Sequence, residues 1–185
     1  MQLLDLLRKK EALPSPEAEA AKLNSYARKG IGEEYFSDFD SDNRPTVSLN
    51  FYLTRAAITI QWLRILERDP SGPGRARAIL DEFERLTFSP LPDEKRPYVV
   101  EHVRKLIKLA SEINGFMGND SLSEVEVGKQ GFAISERWFG TAFDDEDLVV
   151  RASLTCGAEL ISRLFKEMGG IGEMVGIAVF GKGNV

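Results

Sequence analysis

The stretch VSLNFYLTRAAITIQWLRILER, residues 47–68, decides how the rest of this chain is read. Leu49, Leu53, Ala56, Ala57, Ile60 and Leu63 share one side of a helical wheel, and Phe51, Ile58, Trp62 and Ile65 fall on the other. A helix that is apolar on two sides belongs between neighbours rather than on a surface. The first residues also alternate, with Val47, Leu49, Phe51 and Leu53 against Ser48, Asn50, Tyr52 and Thr54. That is the pattern of a half-buried strand over 46–53, so strand is the alternative to helix there. The segment carries no carboxylate before Glu67 and no metal-ligand spacing, which makes it scaffold. Arg55 and Arg64 are its expected exits to solvent or to carboxylate partners.

The segments around this one read mostly as helices. Upstream, Ser15 as N-cap, Pro16 at the first position and Glu17 and Glu19 near the positive end predict a helix over 16–29. Downstream, DPSGPG (69–74) breaks the chain. Ala76, Ile79, Leu80 and Phe83 then form the stripe of a surface helix over 75–88. Val99, Val103, Leu106, Ala110 and Ile113 predict another, ending at Asn114-Gly115. VEV (125–127), GKQG (128–131) and FAI (132–134) read as a small β-hairpin near 123–135 with a glycine-rich turn. A last long helix over 145–168 opens on four acidic residues, Asp144–Asp147, and steps Ala152, Cys156, Leu160, Leu164 and Met168 towards the core. Gly169-Gly170 is its expected end, and 175–180 reads as a strand or docked segment in a glycine-rich tail, 169–185. The expected architecture is mainly α: a multi-helix bundle around a central buried helix, about 47–68, with that small hairpin.

Length and composition bound the function. A chain of 185 residues reads as one globular domain, 1–185, able to bury about 70% of its unfolded surface without a staple. The net charge of −5 does not favour broad nucleic-acid binding, which depends on Lys and Arg neutralising phosphates. One cysteine excludes an intrachain disulfide and a cysteine-based zinc site. MQLLDLLRKK (1–10) places its positive charges after its leucines, the reverse of a secretory signal, and no segment has the apolar length of a membrane helix. A soluble, cytoplasmic protein without membrane attachment is the expectation.

Three features carry candidate chemistry. The acidic, aromatic loop 30–46, GIGEEYFSDFDSDNRPT, spaces Asp38, Asp40 and Asp42 as D-x-D-x-D. A calcium-binding hand also needs glycine at its sixth position and glutamate at its twelfth, where Asn43 and Leu49 stand, so no metal is expected. Tyr35, Phe36 and Phe39 in that loop, with Leu3, Leu6 and Leu7 on one face of a terminal helix over 2–12, are the expected partner-binding side chains. The third feature is R-P-Y-V-V-E-H, Arg96 to His102, which contains the only histidine. An arginine followed after a few residues by histidine near a helix start resembles the motif of HEPN-type ribonucleases. Those are helical domains in which two copies bring Arg and His together to cut RNA. The resemblance covers these two residues, and Pro97 stands where that family carries a polar residue. Cys156, mid-helix on an apolar side, reads as an inert buried thiol.

No cofactor is expected. The favoured function is a non-enzymatic, protein-binding or regulatory helical subunit capable of self-association. The alternative is an RNA-cleaving helical enzyme using Arg96 and His102.

Overall fold

The computed structural model describes residues 13–30, 42–69, 73–117 and 123–181. Among the described residues there are six α-helices and no strand: α1 Pro16–Arg28, α2 Arg44–Glu67, α3 Pro73–Phe88, α4 Arg96–Met117, α5 Glu124–Ala142 and α6 Glu146–Phe180. The expected helical bundle is therefore present. Its centre is also where the sequence puts it, because α2 packs against each of the other five helices. From Asn50 to Ile60 every side chain of α2 except Tyr52 is buried. The two-sided apolar pattern thus gives a surrounded helix, and the strand alternative over 46–53 is excluded. Leu49 and Ile65, at the ends of the two stripes, stay exposed.

The hairpin expected near 123–135 is helix instead. Ser123 and Glu126 form a reciprocal capping box: Ser123 Oγ accepts from Glu126 N at 3.4 Å, and Glu126 Oε2 accepts from Ser123 N at 2.9 Å. These bonds hold the Glu126 carboxyl below its ordinary range, the side-chain contact with Ser123 acting most strongly. With the first turn fixed, Ile134, Ser135, Trp138 and Phe139 recur at helical spacing and are buried together. Tertiary burial of that face outweighs the roughly 1 kcal/mol that each of Gly128 and Gly131 costs a helix interior relative to alanine.

The same balance carries α6 through Gly169-Gly170, where the sequence predicted its end. Ile171, Val175, Ala178 and Val179 prolong the buried stripe of Leu160, Leu164 and Met168, so residues 175–180 are helix and not strand. The result is a rod of 35 residues, about 52 Å at 1.5 Å per residue. Gly172 is required for packing rather than for backbone freedom. A Cβ there would lie 2.9 Å from the Trp62 indole, whose Nε1 donates to Met168 O at 3.2 Å. At the other end Asp145 caps α6, its Oδ1 accepting from Leu148 N at 3.1 Å.

Remaining boundaries differ by local chemistry. α4 runs past Asn114-Gly115 to Met117, and Arg44–Thr46 open α2 instead of closing the acidic loop. α5 and α6 form an antiparallel pair joined by residues 143–145, and their contact is the most extensive in the bundle. They approach closely where Gly157 meets Ser135, whose Oγ would lie 2.8 Å from a Cβ at 157.

Candidate functional site

Helix α2 contributes two buried polar sets, both built from the few non-aliphatic residues in its apolar stripes. The first begins with Asn50, which is 2% exposed. Its Nδ2 donates to Trp138 O at 3.3 Å and to Thr141 Oγ1 at 3.0 Å, both on α5. A carbonyl can only accept, so Asn50 Oδ1 is left facing His102 Nε2 on α4, 2.7 Å away. Because that oxygen can only accept, Nε2 is assigned as the donor that carries the imidazole proton. One turn on, Thr54 Oγ1 donates to Asn50 O at 2.7 Å and accepts from Trp138 Nε1 at 2.9 Å. Burial, with Lys105 nearby, pushes His102 below its ordinary value of 6.5, so it is neutral at pH 7.

His102 also lines a polar cleft of about 660 Å³ between α4 and α5. Lys105, Glu136, Arg137, Thr141 and Asp144 line it, and Gly140 leaves its wall open. Its flanks carry both signs of charge, and Arg137 is paired across the cleft rim with Glu112 on α4. Arg96, the other half of the R-to-H motif, is not in this cleft. It lies at the first position of α4 and turns back on the preceding loop. Its Nε donates to Phe88 O at 3.2 Å and its Nη2 to Leu91 O at 3.0 Å, and it pairs with Asp93 at 2.8 Å. Within one copy, Arg96 is a loop clasp and His102 is held by Asn50.

The second polar set joins α1, α2 and α6. Arg55 Nη2 donates to Glu167 Oε1 at 2.6 Å, with both side chains under one-tenth exposed. Its Nη1 donates to Lys29 O, just past the end of α1. Tyr26 Oη donates to Glu167 Oε2 at 3.1 Å, and the guanidinium lies over the Tyr26 ring, 5.4 Å from its centre. Burial, reinforced by the Glu167 charge, raises the Tyr26 phenol above its ordinary value. Arg55 therefore exits to a carboxylate and not to solvent, whereas Arg64 reaches Glu84 on the surface. This cluster ties three helices together.

The apolar surface is uneven. Val125, Val127, Val150 and Leu154 are half of the large hydrophobic side chains that stand exposed among the described residues, and all four lie on the α5–α6 pair. Two of them, Val127 and Leu154, line a cavity of about 410 Å³ between α5, α6 and the last turn of α4. Its walls are Phe116, Phe132, Ile161 and Phe165, with Gly128, Gly131 and Gly157 supplying no side chain. Phe116 and Phe165 stand ring to ring at 5.7 Å. A larger recess along α1 is shallow, and its Arg28 is engaged by Asn24 Oδ1 at 2.8 Å and lies over the Tyr52 ring.

No family model, curated protein or solved structure matches this chain. The functional reading accordingly rests on the geometry. Of the residues singled out in the sequence, Leu3, Leu6, Leu7, Tyr35, Phe36, Phe39, Asp38 and Asp40 lie outside the described residues. Asp42 sits in the turn before α2. Among the described residues no group of three or more His, Cys, Asp or Glu side chains is placed to hold a metal, and no helix is long and apolar enough to cross a membrane. Cys156 is buried in the core side of α6.

Sequence reasoning missed Asn50 as the partner of His102, with Thr141 and Trp138 as the partners of Asn50, and it missed the α5–α6 face entirely. The hairpin reading hid that face, since it puts Gly128 and Gly131 in a turn, whereas in α5 they lie with Val127 along one wall of the cavity.

Proposed function

We propose that this protein is a helical protein-binding subunit whose contact surface is the α5–α6 face. The observation that carries the reading is the gathering of Val125, Val127, Val150 and Leu154 on that one helix pair. Scattered exposed hydrophobics need no explanation, but half of them on one helix pair, with Val127 and Leu154 at an apolar cavity, is the surface an interface core uses. A second copy is the first partner to test, because an isologous contact needs one self-complementary patch and this face offers both projecting valines and leucine and bare glycine positions.

Leu154 is 69% exposed, so Leu154→Glu should change folding stability by no more than about 0.5 kcal/mol. The same change placed in an interface removes roughly 1.5–3 kcal/mol of apolar burial and adds a desolvated charge. The expected result is a loss of self-association, or of a captured partner, of at least about tenfold in affinity with an unchanged melting temperature, tenfold being 1.4 kcal/mol. Light scattering across a concentration series reads it. A native protein that stays monomeric at high concentration and captures no partner would remove the support for this reading.

The alternative, RNA cleavage, is favoured by one observation: an imidazole bonded through Nε2 to buried Asn50 lines a polar cleft. In this reading His102 is the general base and Lys105 and Arg137 attract the backbone phosphates. A depressed imidazole pKa means that the basic form is already dominant at pH 7. Activity would then rise as pH increases through a value below 6.5 and plateau above it, and His102→Ala would abolish it. RNA degradation that survives His102→Ala rejects the alternative.

A further inference from the structure

The α5–α6 cavity has a chemistry of its own, separate from the question of which protein covers its rim. Its volume, about 410 Å³, lies in the range of roughly 300–1,000 Å³ typical of small-molecule sites between helices. No charged side chain lines it. Its only side-chain polar atoms are the hydroxyls of Ser135 and Ser153, and both protons are already used within their own helices. Ser135 Oγ donates to Phe132 O at 2.8 Å and Ser153 Oγ donates to Val149 O at 2.8 Å. What remains is a pair of hydroxyl lone pairs, which can accept one or two hydrogen bonds and donate none. An ionised carboxylate or phosphate would lose its hydration there and meet no donor, a penalty of several kcal/mol. An apolar body gains about 0.8 kcal/mol for each methylene it buries.

The glycines show that the space is open. A Cβ built at Gly128 or Gly131 meets no atom within 4 Å, although each glycine costs its helix roughly 1 kcal/mol relative to alanine. At Gly157 a Cβ would meet Ser135, so that glycine serves helix packing, while the other two leave room.

We propose that this cavity is a binding site for an uncharged, apolar small molecule, aliphatic or aromatic, carrying at most a hydroxyl or amide donor directed at Ser135 or Ser153. The site shares Val127 and Leu154 with the proposed contact face but does not depend on a partner being bound there.

The test uses the full chain and the neutral fluorophore N-phenyl-1-naphthylamine, with 1-decanol and decanoate as competitors. Saturable binding to one site is expected, displaced by decanol and at least tenfold less effectively by decanoate. Gly131→Leu projects a side chain into open space and should weaken the fluorophore at least tenfold without lowering the melting temperature. If that variant does not fold, Gly128→Leu makes the same test from the next position on the wall. Binding that never saturates, that is unchanged in a folded leucine variant, or that decanoate displaces as well as decanol overturns the proposal. Light scattering on the same samples separates the two claims. A monomer that binds the fluorophore supports the site and defeats the self-association reading. An associating protein that ignores the fluorophore, and whose association Gly131→Leu destroys, assigns the cavity to the protein partner and overturns the proposal.

Discussion

Arg55→Met is expected to lower the unfolding free energy by about 3–5 kcal/mol at neutral pH, and Glu167→Gln by a similar amount. Each change strands one member of a pair whose side chains are under one-tenth exposed. With Arg55 gone, the Glu167 carboxylate keeps only the Tyr26 hydroxyl. With Glu167 neutral, the guanidinium keeps the Lys29 carbonyl and the face of the Tyr26 ring. The native arrangement is itself imperfect, because Arg55 Nε is buried without a hydrogen-bond partner. Removing both charges should therefore be far less damaging than the sum of the single changes. In a double-mutant cycle by urea unfolding, Arg55→Met with Glu167→Gln is expected to show a coupling of about 1–3 kcal/mol. Additive losses, within about 0.5 kcal/mol, would mean that the two charges do not act as a pair.

That pair also marks the boundary of what the sequence could reveal. The central helix was legible because its signal is local: eleven positions in a row must find partners on every side, and only a surrounded helix provides them. The stripes of α3 and α6 were legible for the same reason, as Ile79, Leu80, Phe83, Leu160 and Leu164 are all buried. Arg55 could be given an exit to solvent or to a carboxylate but no named partner, since Glu167 is 112 residues away and no spacing rule reaches that far.

The errors came from glycine and from alternation. Gly169-Gly170 has the form of a helix terminator, but termination there would expose Ile171, Val175 and Val179, three buried side chains. The burial of one helix face is a tertiary quantity, and local propensity of about 1 kcal/mol per glycine does not outweigh it. At 123–135 the contrary signal was present and local: Ser123-x-x-Glu126 is a capping box, and it announces a helix start more specifically than Val-Glu-Val announces a strand. For the site, Asn50 was a polar residue inside an otherwise apolar stripe. A buried amide must be satisfied, but no spacing rule in the sequence links Asn50 to His102, 52 residues away.

Trp138→Ala is the other change expected to be severe, at about 3–5 kcal/mol, because it empties a fully buried site that cannot collapse easily. The indole packs against Phe51 at 4.7 Å and against Phe139 edge-on at 5.1 Å, so two aromatic neighbours lose their contact. Its Nε1 also donates to Thr54 Oγ1, which would lose its donor inside the core. Trp138→Phe separates the two contributions. It keeps most of the apolar volume and removes the N–H, so its expected cost is smaller, about 1–3 kcal/mol. The consequence should extend to His102. The Asn50 amide is bonded to the Trp138 main-chain carbonyl and to Thr141, so a shift of α5 on repacking around residue 138 moves the group that holds the imidazole. In the folded Phe variant, the Nε2 proton of His102 should therefore exchange with solvent faster than in the native protein, a difference that NMR reads directly. If the Phe variant loses stability but the His102 proton is as protected as before, the tryptophan stabilises the core without positioning the histidine. A loss below about 1.5 kcal/mol in Trp138→Ala would show that α5 is not clamped to α2 at this point, because such a value is reached only where a core relaxes around the deletion.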